Sequence, residues 1–483
     1  MKRFLFTLLG VMLVLLGVLA AYNYRHDALG IINTDFSVRR YGVAQRFVKM
    51  RYLRDNPQKY NAFCFGSSRV SQIPVSELDG NRWYNFTYGA GLPHEWLEDI
   101  RTLIENGTDV RQILIGIDDF SFRADPKANE TGSGSVFAYR PHDVERYLRA
   151  LFHRPDPQLP ADFIEREAIL FDIYGGGQTL YPWVDEKIEA DPQKHLEDPA
   201  FQKMAVVHGR RIDATLDELR EIVNLAHAHN IELTIIINPL YAWTYLANDQ
   251  QDFDEFKRRL AAITDYYDFS GVSEETLDKM NYYETSHYRQ VMGRRILARV
   301  YGGASEGTQG FGRLVTAENV DAHLAELAAV RAQFLADHPG ELEPLLFANS
   351  FAPYLPAGFQ GEPDGRLGVH LDRLGVGDRA PAAETEWPQA EKFSMTGWQT
   401  SSGDTAAICR NEETGAVYAM HVAATENRGV SATLALPAEE RIGFELHAVD
   451  GTLPTGRWAL ELRTRTPDGR LLASGILAHI TVP

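Results

Sequence analysis

From residue 40 to about residue 303, short runs of consecutive apolar residues alternate with longer stretches in which apolar positions recur at helical spacing. Runs that are apolar at every position are typical of strands buried on both faces, as in a parallel sheet between two layers of helices. The pattern therefore predicts an α/β domain with a three-layer parallel sheet over residues 26–303. The predicted strands are residues 62–65, 83–86, 112–117, 231–237 and 266–269, and the predicted helices are residues 41–53, 93–106, 213–229, 253–264 and 289–300.

One long stretch interrupts this alternation. Residues 121–205 contain Gly-rich and Pro-rich segments, among them Thr131-Gly-Ser-Gly-Ser and the three glycines at 175–177. Such clusters are typical of loops rather than of strands or helices. We interpret residues 121–205 as an insertion that could cover a site at the edge of the sheet.

The pattern changes again after residue 303. Residues 317–337 are rich in Ala and Leu and predict a helix, whereas residues 355–390 have the Gly, Pro and Asp content of a linker. Runs of alternating apolar and polar residues then recur, with turn signals between them, at residues 416–422, 431–436, 444–449 and 458–464. Because a period of two is the pattern of strands with one buried face, we predict a helix and linker over residues 304–390 and an all-β sandwich over residues 391–483.

The N-terminus has a pattern of its own, since Lys2 and Arg3 precede an uncharged run from residue 4 to residue 22. As a helix this run spans roughly 28 Å, close to the hydrocarbon core of a bilayer. The alternative is a cleaved signal peptide, but the run is longer than the usual ~7–15 apolar residues. We therefore predict that residues 1–25 are a transmembrane signal anchor. The positive pair keeps the N-terminus in the cytoplasm and places the body outside the inner (cytoplasmic) membrane, in the periplasm or outside the cell.

Composition restricts the functional classes. The 483 residues carry a formal net charge of −18, which argues against a nucleic-acid-binding surface. The two cysteines, Cys64 and Cys409, lie in different predicted domains, so a disulfide is permitted but not implied. Their number and spacing do not suggest a metal site, and we expect no cofactor.

Two short elements carry candidate chemistry. The first predicted strand runs directly into Gly66-Ser67-Ser68, and the carboxyl end of a parallel strand is where α/β sheets place ligands. Glu284 precedes His287 by three residues just before the last predicted helix, which lets the carboxylate orient the imidazole. Each element alone also fits a structural role, as a helix cap or a structural histidine.

Together the two elements resemble the SGNH (GDSL-like) hydrolase superfamily, in which Gly-x-Ser follows the first strand and carboxylate-x-x-His follows the last. Residues 268–270 and 282–288 are similar to the membrane-anchored envelope branch. That branch includes the alginate O-acetyltransferases and the teichoic acid D-alanine transfer protein. The resemblance covers roughly residues 40–303 and does not include the β region.

The resemblance implies roles for the first two sequence blocks. The nucleophile falls on Ser68, with Ser67, which replaces the usual Asp, as the fallback. The second block matches residues 85–91, where a glycine amide serves the oxyanion hole. Gly89 and Gly91 are both candidates, and Gly89 is preferred as the partner of the Ser68 amide.

Two positions depart from the family pattern. The third block has Asp118 where the family has Asn, and an ionised carboxylate cannot donate to an oxyanion, a loss that costs about 2.7–4 kcal/mol for one donor. Asp118 either pairs with Arg69 and faces away, is protonated in a dry site, or leaves the site weak or inactive, and we favour the first. In the fourth block Glu284 replaces Asp as the residue that orients His287, with Asp268 as a lower-ranked alternative.

The implied function is serine-dependent acyl transfer or ester hydrolysis, of O-acetyl or similar groups, on a cell-envelope or exported polysaccharide. Anchoring favours transfer, because a membrane-bound acyltransferase partner could deliver the acyl group. Tyr241 and Trp243 follow the strongest predicted strand and are candidates for stacking on a sugar, although such aromatics also occur at the edge of a core. The alternative is a weak or inactive scaffold of the same shape that binds glycan or envelope assembly partners, which Asp118 supports.

Overall fold

The computed structural model of the chain describes residues 2–27, 30–32, 44–127, 136–140, 144–152, 170–204, 210–302, 310–376, 382–387, 393–425, 442–448 and 453–483. The first helix, Lys2–His26, contains the stretch Arg3–Arg25, which is long and apolar enough to cross a membrane and has a mean hydropathy of 2.7. Its large apolar side chains are exposed instead of packing on the body of the protein. The length and composition expected of an anchor are therefore present in one uninterrupted helix.

The body is built on a six-stranded, mostly parallel sheet. Its strands are β1 (Ala62–Phe65), β2 (Trp83–Asn85), β3 (Gln112–Ile117), β6 (Glu232–Ile237), β7 (Tyr266–Asp268) and β8 (Arg313–Val315). Their order across the sheet is β2-β1-β3-β6-β7-β8. Strands β1, β2, β3, β6 and β7 run parallel to one another, and β8 is antiparallel to β7. The predicted α/β class is confirmed at this level.

Both faces of this sheet are covered, because its central strands are apolar at successive positions. In β1, Phe63 and Phe65 belong to one hydrophobic core and Ala62 and Cys64 to another. The first core is closed by the helices Gln45–Asp55, Pro93–Glu105, Ile212–Ala228 and Gln250–Ala261, and the second by the helix Gln290–Tyr301. The short helices Ala242–Ala247 and Glu274–Leu277 follow β6 and β7.

The described parts of the predicted insertion contain two short strands and three α-helices that pack against the body. β4 (Leu170–Phe171) and β5 (Thr179–Leu180) pair as a two-stranded sheet. The helices are Val144–Leu151, Pro182–Ala190 and Pro192–Leu196. The Thr131-Gly-Ser-Gly-Ser segment lies outside the described residues.

The sheet does not end at residue 303, where the sequence pattern ends the α/β domain. β8 extends it, and the helix Val320–Asp337 places His323 Nε2 2.9 Å from Asp268 Oδ2. The segment predicted as linker also contains strands, because β10 (Val369–Val376) is an edge strand whose polar residues hide its pattern. A further helix, Leu342–Asn349, precedes this region.

The C-terminal part is all β, as predicted, but its strands form one curled sheet instead of two separate ones. Besides β10, the strands are β9 (Gly365–Arg366), β11 (Glu384–Glu386), β12 (Phe393–Gln399), β13 (Asp404–Asn411), β14 (Val417–Thr425), β15 (Gly443–Ala448), β16 (Gly456–Arg465) and β17 (Leu471–Val482). β14 joins the two halves of the sheet, since residues 417–422 pair with β13 and residues 423–425 pair with β15. The predicted run at 431–436 lies outside the described residues.

Candidate active site

Ser68 lies in the turn that follows β1 and is partly exposed. The turn closes tightly over Gly66, where an added Cβ would lie 2.4 Å from Val70 Cγ2, so a side chain is excluded there. Val70 opens the short 3₁₀ helix Val70–Gln72. The turn presents Ser68 Oγ 2.8 Å from Nε2 of His287, a residue 219 positions further along the chain.

His287 sits in a narrow loop just before the helix Gln290–Tyr301. Tyr282 and Tyr288 pair as an isolated antiparallel bridge, and the Tyr283 N–H donates to the His287 carbonyl at 2.8 Å. This closed loop fixes the backbone of His287. The imidazole therefore approaches Ser68 from a rigid support.

Glu284 orients the histidine from within the same loop. Its Oε1 accepts the His287 backbone N–H at 2.9 Å and lies within hydrogen-bond distance of Nδ1, while Oε2 accepts the Ser286 N–H at 2.7 Å. Burial alone would raise the pKa of Glu284, but the hydrogen bonds from His287 and these amides hold it below the usual value. With its proton on Nδ1, the ring offers Nε2 as the acceptor for the Ser68 hydroxyl proton.

Among the described residues, the backbone amides of Ser68 and Gly89 donate to no protein acceptor. The Gly91 N–H, in contrast, donates to the Tyr88 carbonyl at 3.3 Å. Of the two predicted glycines, only Gly89 therefore has its amide available. Ala90, between them, has a φ of 58°, an unfavourable conformation for a residue with a Cβ.

Two buried polar side chains, Asn85 and Lys49, stabilise the loop that carries Gly89. Asn85 Nδ2 donates to the Ser71 and Ile73 carbonyls, at 3.3 Å each, and its Oδ1 accepts the Thr87 N–H at 3.2 Å. Asn85 thereby joins the segment after Ser68 to the loop of Gly89.

Lys49 braces the same loop from the helix Gln45–Asp55. Its Nζ donates to the carbonyls of Asn85, at 3.0 Å, and Thr87, at 2.6 Å. Burial lowers the pKa of Lys49 to about 7, against the opposing effect of Cys64 and Asp172. A buried amine with two carbonyl acceptors fixes the loop without facing the reacting atoms.

Asp118 is buried, and its carboxylate is bound by side chains other than Ser68. It accepts hydrogen bonds from Ser67 Oγ at 2.6 Å and from Asn238 Nδ2 at 3.0 Å, whereas Arg69 NH1 is 3.6 Å away. Burial raises the pKa of Asp118, and Arg69 opposes the change. The ion pair with Arg69 that we expected is therefore present, and the two hydrogen-bond partners of Asp118 are Ser67 and Asn238.

Arg69 is paired chiefly with a different carboxylate. Its NH1 is hydrogen-bonded to Asp119, and its Nε donates to Ser286 Oγ at 3.0 Å. Because Ser286 precedes His287, the guanidinium joins the serine turn to the histidine loop. A second, indirect link runs from the Tyr288 hydroxyl, which donates to Asn238 Oδ1 at 3.1 Å, through Asp118 to Ser67.

Two of the secondary candidates have other roles. Ser67 is fully buried, donates to Asp118 and accepts the Arg69 N–H at 3.1 Å, so it stabilises the turn and is not the fallback nucleophile. Asp268 does not orient His287. It is buried between Lys257 Nζ and His323 Nε2, each 2.9 Å away, which hold its pKa below the usual value despite its burial.

The proposed sugar-stacking aromatics are also placed elsewhere. Tyr241 is 4% exposed and its ring packs edge-on against Phe201 and Tyr282. Trp243 packs edge-on against Phe334 of the helix Val320–Asp337. Because other aromatic rings occupy their surroundings, they belong to the core edge, the alternative that the sequence left open.

The described part of the insertion packs against the histidine loop, as expected of a cover. Asp185 accepts hydrogen bonds from the Tyr283 hydroxyl at 2.8 Å and from Arg289 Nε at 2.9 Å. Tyr181 packs on Tyr283, with ring centroids 4.9 Å apart. Burial, together with the charge of Glu284, raises the pKa of Tyr181 to about 12. The insertion therefore reaches the immediate surroundings of the site.

Sequence reasoning missed Lys49, Asp119, Asn238 and Tyr288. Asn238 had a usable signal, because it follows the strongest strand and the carboxyl ends of neighbouring parallel strands meet at one edge. Lys49 had none, since a lysine in a helical pattern is usually solvated. No family model matches this chain, and no curated protein matches it, so its chemistry must be read from its own side chains.

Proposed function

We propose that this chain is a serine-type acyl-handling enzyme that forms an acyl intermediate on Ser68. The observation that carries the proposal is the continuous hydrogen-bonded series from Ser68 Oγ through the His287 ring to Glu284. A nucleophile, a base and a residue that orients the base are the three parts that such chemistry needs.

In the proposed mechanism His287 Nε2 takes the Ser68 hydroxyl proton as Oγ attacks the carbonyl carbon of an ester. The negative charge that develops on the carbonyl oxygen is stabilised by the amides of Ser68 and Gly89. The imidazolium, held by Glu284, returns its proton to the leaving alcohol as the acyl-serine forms. A second hydroxyl, of water or of a sugar, then attacks the acyl-serine by the same route.

The acceptor that we propose is a sugar hydroxyl of a cell-envelope or exported polysaccharide, with a membrane-bound acyltransferase as the source of acyl groups. Support comes from the likeness to the envelope branch and from an N-terminal helix long enough to hold the body at a membrane. The insertion packed beside His287 would limit the access of water, which favours transfer over hydrolysis.

A fluorophosphonate probe on the full-length protein tests the nucleophile. The parent protein should be labelled and S68A should not, whereas S67A should be labelled if it folds, because Ser67 Oγ faces Asp118. Acylation by an activated acetyl ester should give a burst in the parent protein and none in S68A. Labelling of folded S68A at the parent rate would contradict the proposal.

The second candidate is a non-catalytic scaffold that binds glycan or assembly partners. It is favoured by Asp118, which stands where the superfamily uses an oxyanion-binding Asn. Glycan binding by the full-length protein, together with no probe labelling and no acylation burst, would favour this candidate.

A further inference from the structure

The helix Val144–Leu151 presents an uncovered apolar face. Val144, Leu148 and Phe152 are 65%, 49% and 43% exposed. Their spacing of four residues places them on one face of the helix and its continuation. Ala150, on another face, is buried against the body. The helix is therefore held by the protein on one side while its second apolar strip faces outward.

The C-terminal end of this helix adjoins the end of the N-terminal helix. Asn23 Nδ2 donates to the Leu151 carbonyl at 2.8 Å. Asp27 then accepts the Ile31 and Ile32 amides at 3.0 Å each, and Arg51 NH1 donates to the Ile31 carbonyl at 2.7 Å. The end of the membrane-spanning stretch is thus fixed to both this helix and the body.

We propose that the face formed by Val144, Leu148 and Phe152 lies in the interfacial layer of the membrane that holds the N-terminal helix. The charged flank of the helix fits this position, because Glu145 and Arg149 form an exposed ion pair of 2.6 Å beside the apolar strip. Amphipathic helices with such flanks settle at the boundary between headgroups and acyl chains. The inference rests on the proposed anchoring and not on the proposed acyl chemistry.

A lipid surface fits this face better than a second copy of the chain. Three half-exposed side chains present far less than the about 800 Å² that each partner buries in a stable complex. A lipid surface needs no matched partner, and the Asn23 contact holds the C-terminal end of this helix beside the point where the anchor would leave the membrane.

Site-directed fluorescence on the full-length protein in phosphatidylcholine and phosphatidylglycerol vesicles tests this inference. An environment-sensitive label is placed at L148C, with R149C as the matched control on the charged flank and L15C as the reference within the anchor. Cys64 and Cys409 are buried, so the introduced cysteine takes the label. Nitroxide lipids and aqueous iodide serve as the two quenchers.

Nitroxide lipids should quench the label at 148 roughly twofold or more beyond the label at 149, with iodide showing the reverse order. If nitroxide lipids quench the label at residue 15 but not the label at residue 148, the inference is overturned and the anchor is retained. Absence of lipid quenching at 15 would overturn the anchor itself. Shielding of 148 from both quenchers would overturn the inference too, by showing that protein, either this chain or a second copy, covers the face.

Discussion

The carboxylate of Asp118 accepts a hydrogen bond from Ser67 Oγ at 2.6 Å, while the hydroxyl of the neighbouring Ser68 is hydrogen-bonded to His287. The negative charge of a carboxylate beside an oxyanion would destabilise the transition state. Both oxygens of Asp118, however, accept hydrogen bonds, one from Ser67 and one from Asn238. Among the described residues, the amides of Ser68 and Gly89 keep no other acceptor, so an oxyanion would have two donors available without a side-chain amide at position 118.

D118N should therefore destabilise the protein more than it changes activity. The amide keeps one acceptor, so either Ser67 or Asn238 loses its partner at a cost of about 1–3 kcal/mol. Chemical denaturation measures this loss, and kcat/KM should stay within roughly tenfold, or 1.4 kcal/mol, of the parent. D109N, at an exposed carboxylate, is the control and should change neither. A gain of roughly a hundredfold would mean that Asp118 opposes the oxyanion.

E284Q should lower kcat with little change in KM, because Glu284 acts through His287 and does not contact substrate. The expected loss is about 10²–10⁴-fold, the upper value being that of a triad whose orienting carboxylate is replaced by an amide. Steady-state kinetics measure it, and E274Q, at an exposed position, is the control. Equal kcat values for E284Q and the parent would exclude Glu284 from the site.

The lowered pKa of Glu284 also gives a dependence of stability on pH. In the unfolded chain this carboxylate binds a proton near its ordinary pKa of 4.5, whereas in the folded protein it resists protonation until lower pH. Its stabilising effect is therefore present above that pH and is lost as the pH falls through the folded pKa. Unfolding of the parent between pH 6 and pH 3, compared with E284Q, should show a steeper acid loss in the parent (roughly one proton at most).

The lowered pKa of Lys49 gives a second dependence of stability on pH. Here burial destabilises the charged form, whereas at Glu284 hydrogen bonds stabilise it. In the unfolded chain the lysine binds a proton below its ordinary pKa of 10.5, whereas in the folded protein it binds one only below about 7. Stability should therefore rise from about pH 7 upward, by at most about 1.4 kcal/mol per pH unit. K49M should lack this rise, while K194M, at an exposed lysine, should keep it. Parallel curves for K49M and the parent would contradict the assignment.

A90G should stabilise the protein. The left-handed φ of 58° costs a residue with a Cβ roughly 1–2 kcal/mol, part of which glycine gives back through its more flexible unfolded state. We expect a net gain of about 0.5–1 kcal/mol in the free energy of unfolding. A298G, inside the helix Gln290–Tyr301, should instead lose about 1 kcal/mol. A loss at both positions would mean that Ala90 is not strained.

The N-terminal helix should remain on the mature protein. Intact mass of protein extracted from membranes should include residues 2–26, and extraction should need detergent, not salt or carbonate. A mass that corresponds to the loss of about 15–30 N-terminal residues would identify a cleaved signal peptide. L15R, which places a charge near the middle of the span at a cost of about 2.5–3.5 kcal/mol, should reduce membrane insertion.

Local sequence pattern was enough to locate the central strands and the candidate site residues that follow them. β1 and β3 follow the predicted runs residue for residue, because runs that are apolar at every position leave few alternatives to a doubly buried strand. The same logic placed Ser68 and His287 at one edge of the sheet. The pattern did not identify β10 as a strand, because an edge strand need not be apolar on both faces.

The pairing of the buried polar groups, in contrast, depends on how the strands are arranged in space. Ser67, Asp118 and Asn238 follow β1, β3 and β6, and strand order makes them neighbours although they are separated by 51 and 120 positions. Sequence spacing does not encode strand order. The ion pair between Asp118 and Arg69 was expected, but the hydrogen bonds of Asp118 to Ser67 and Asn238 and the bond of Arg69 to Asp119 were not. The same limit applies to Asp268, since burial forces each polar group to find whichever partner the packing brings within reach.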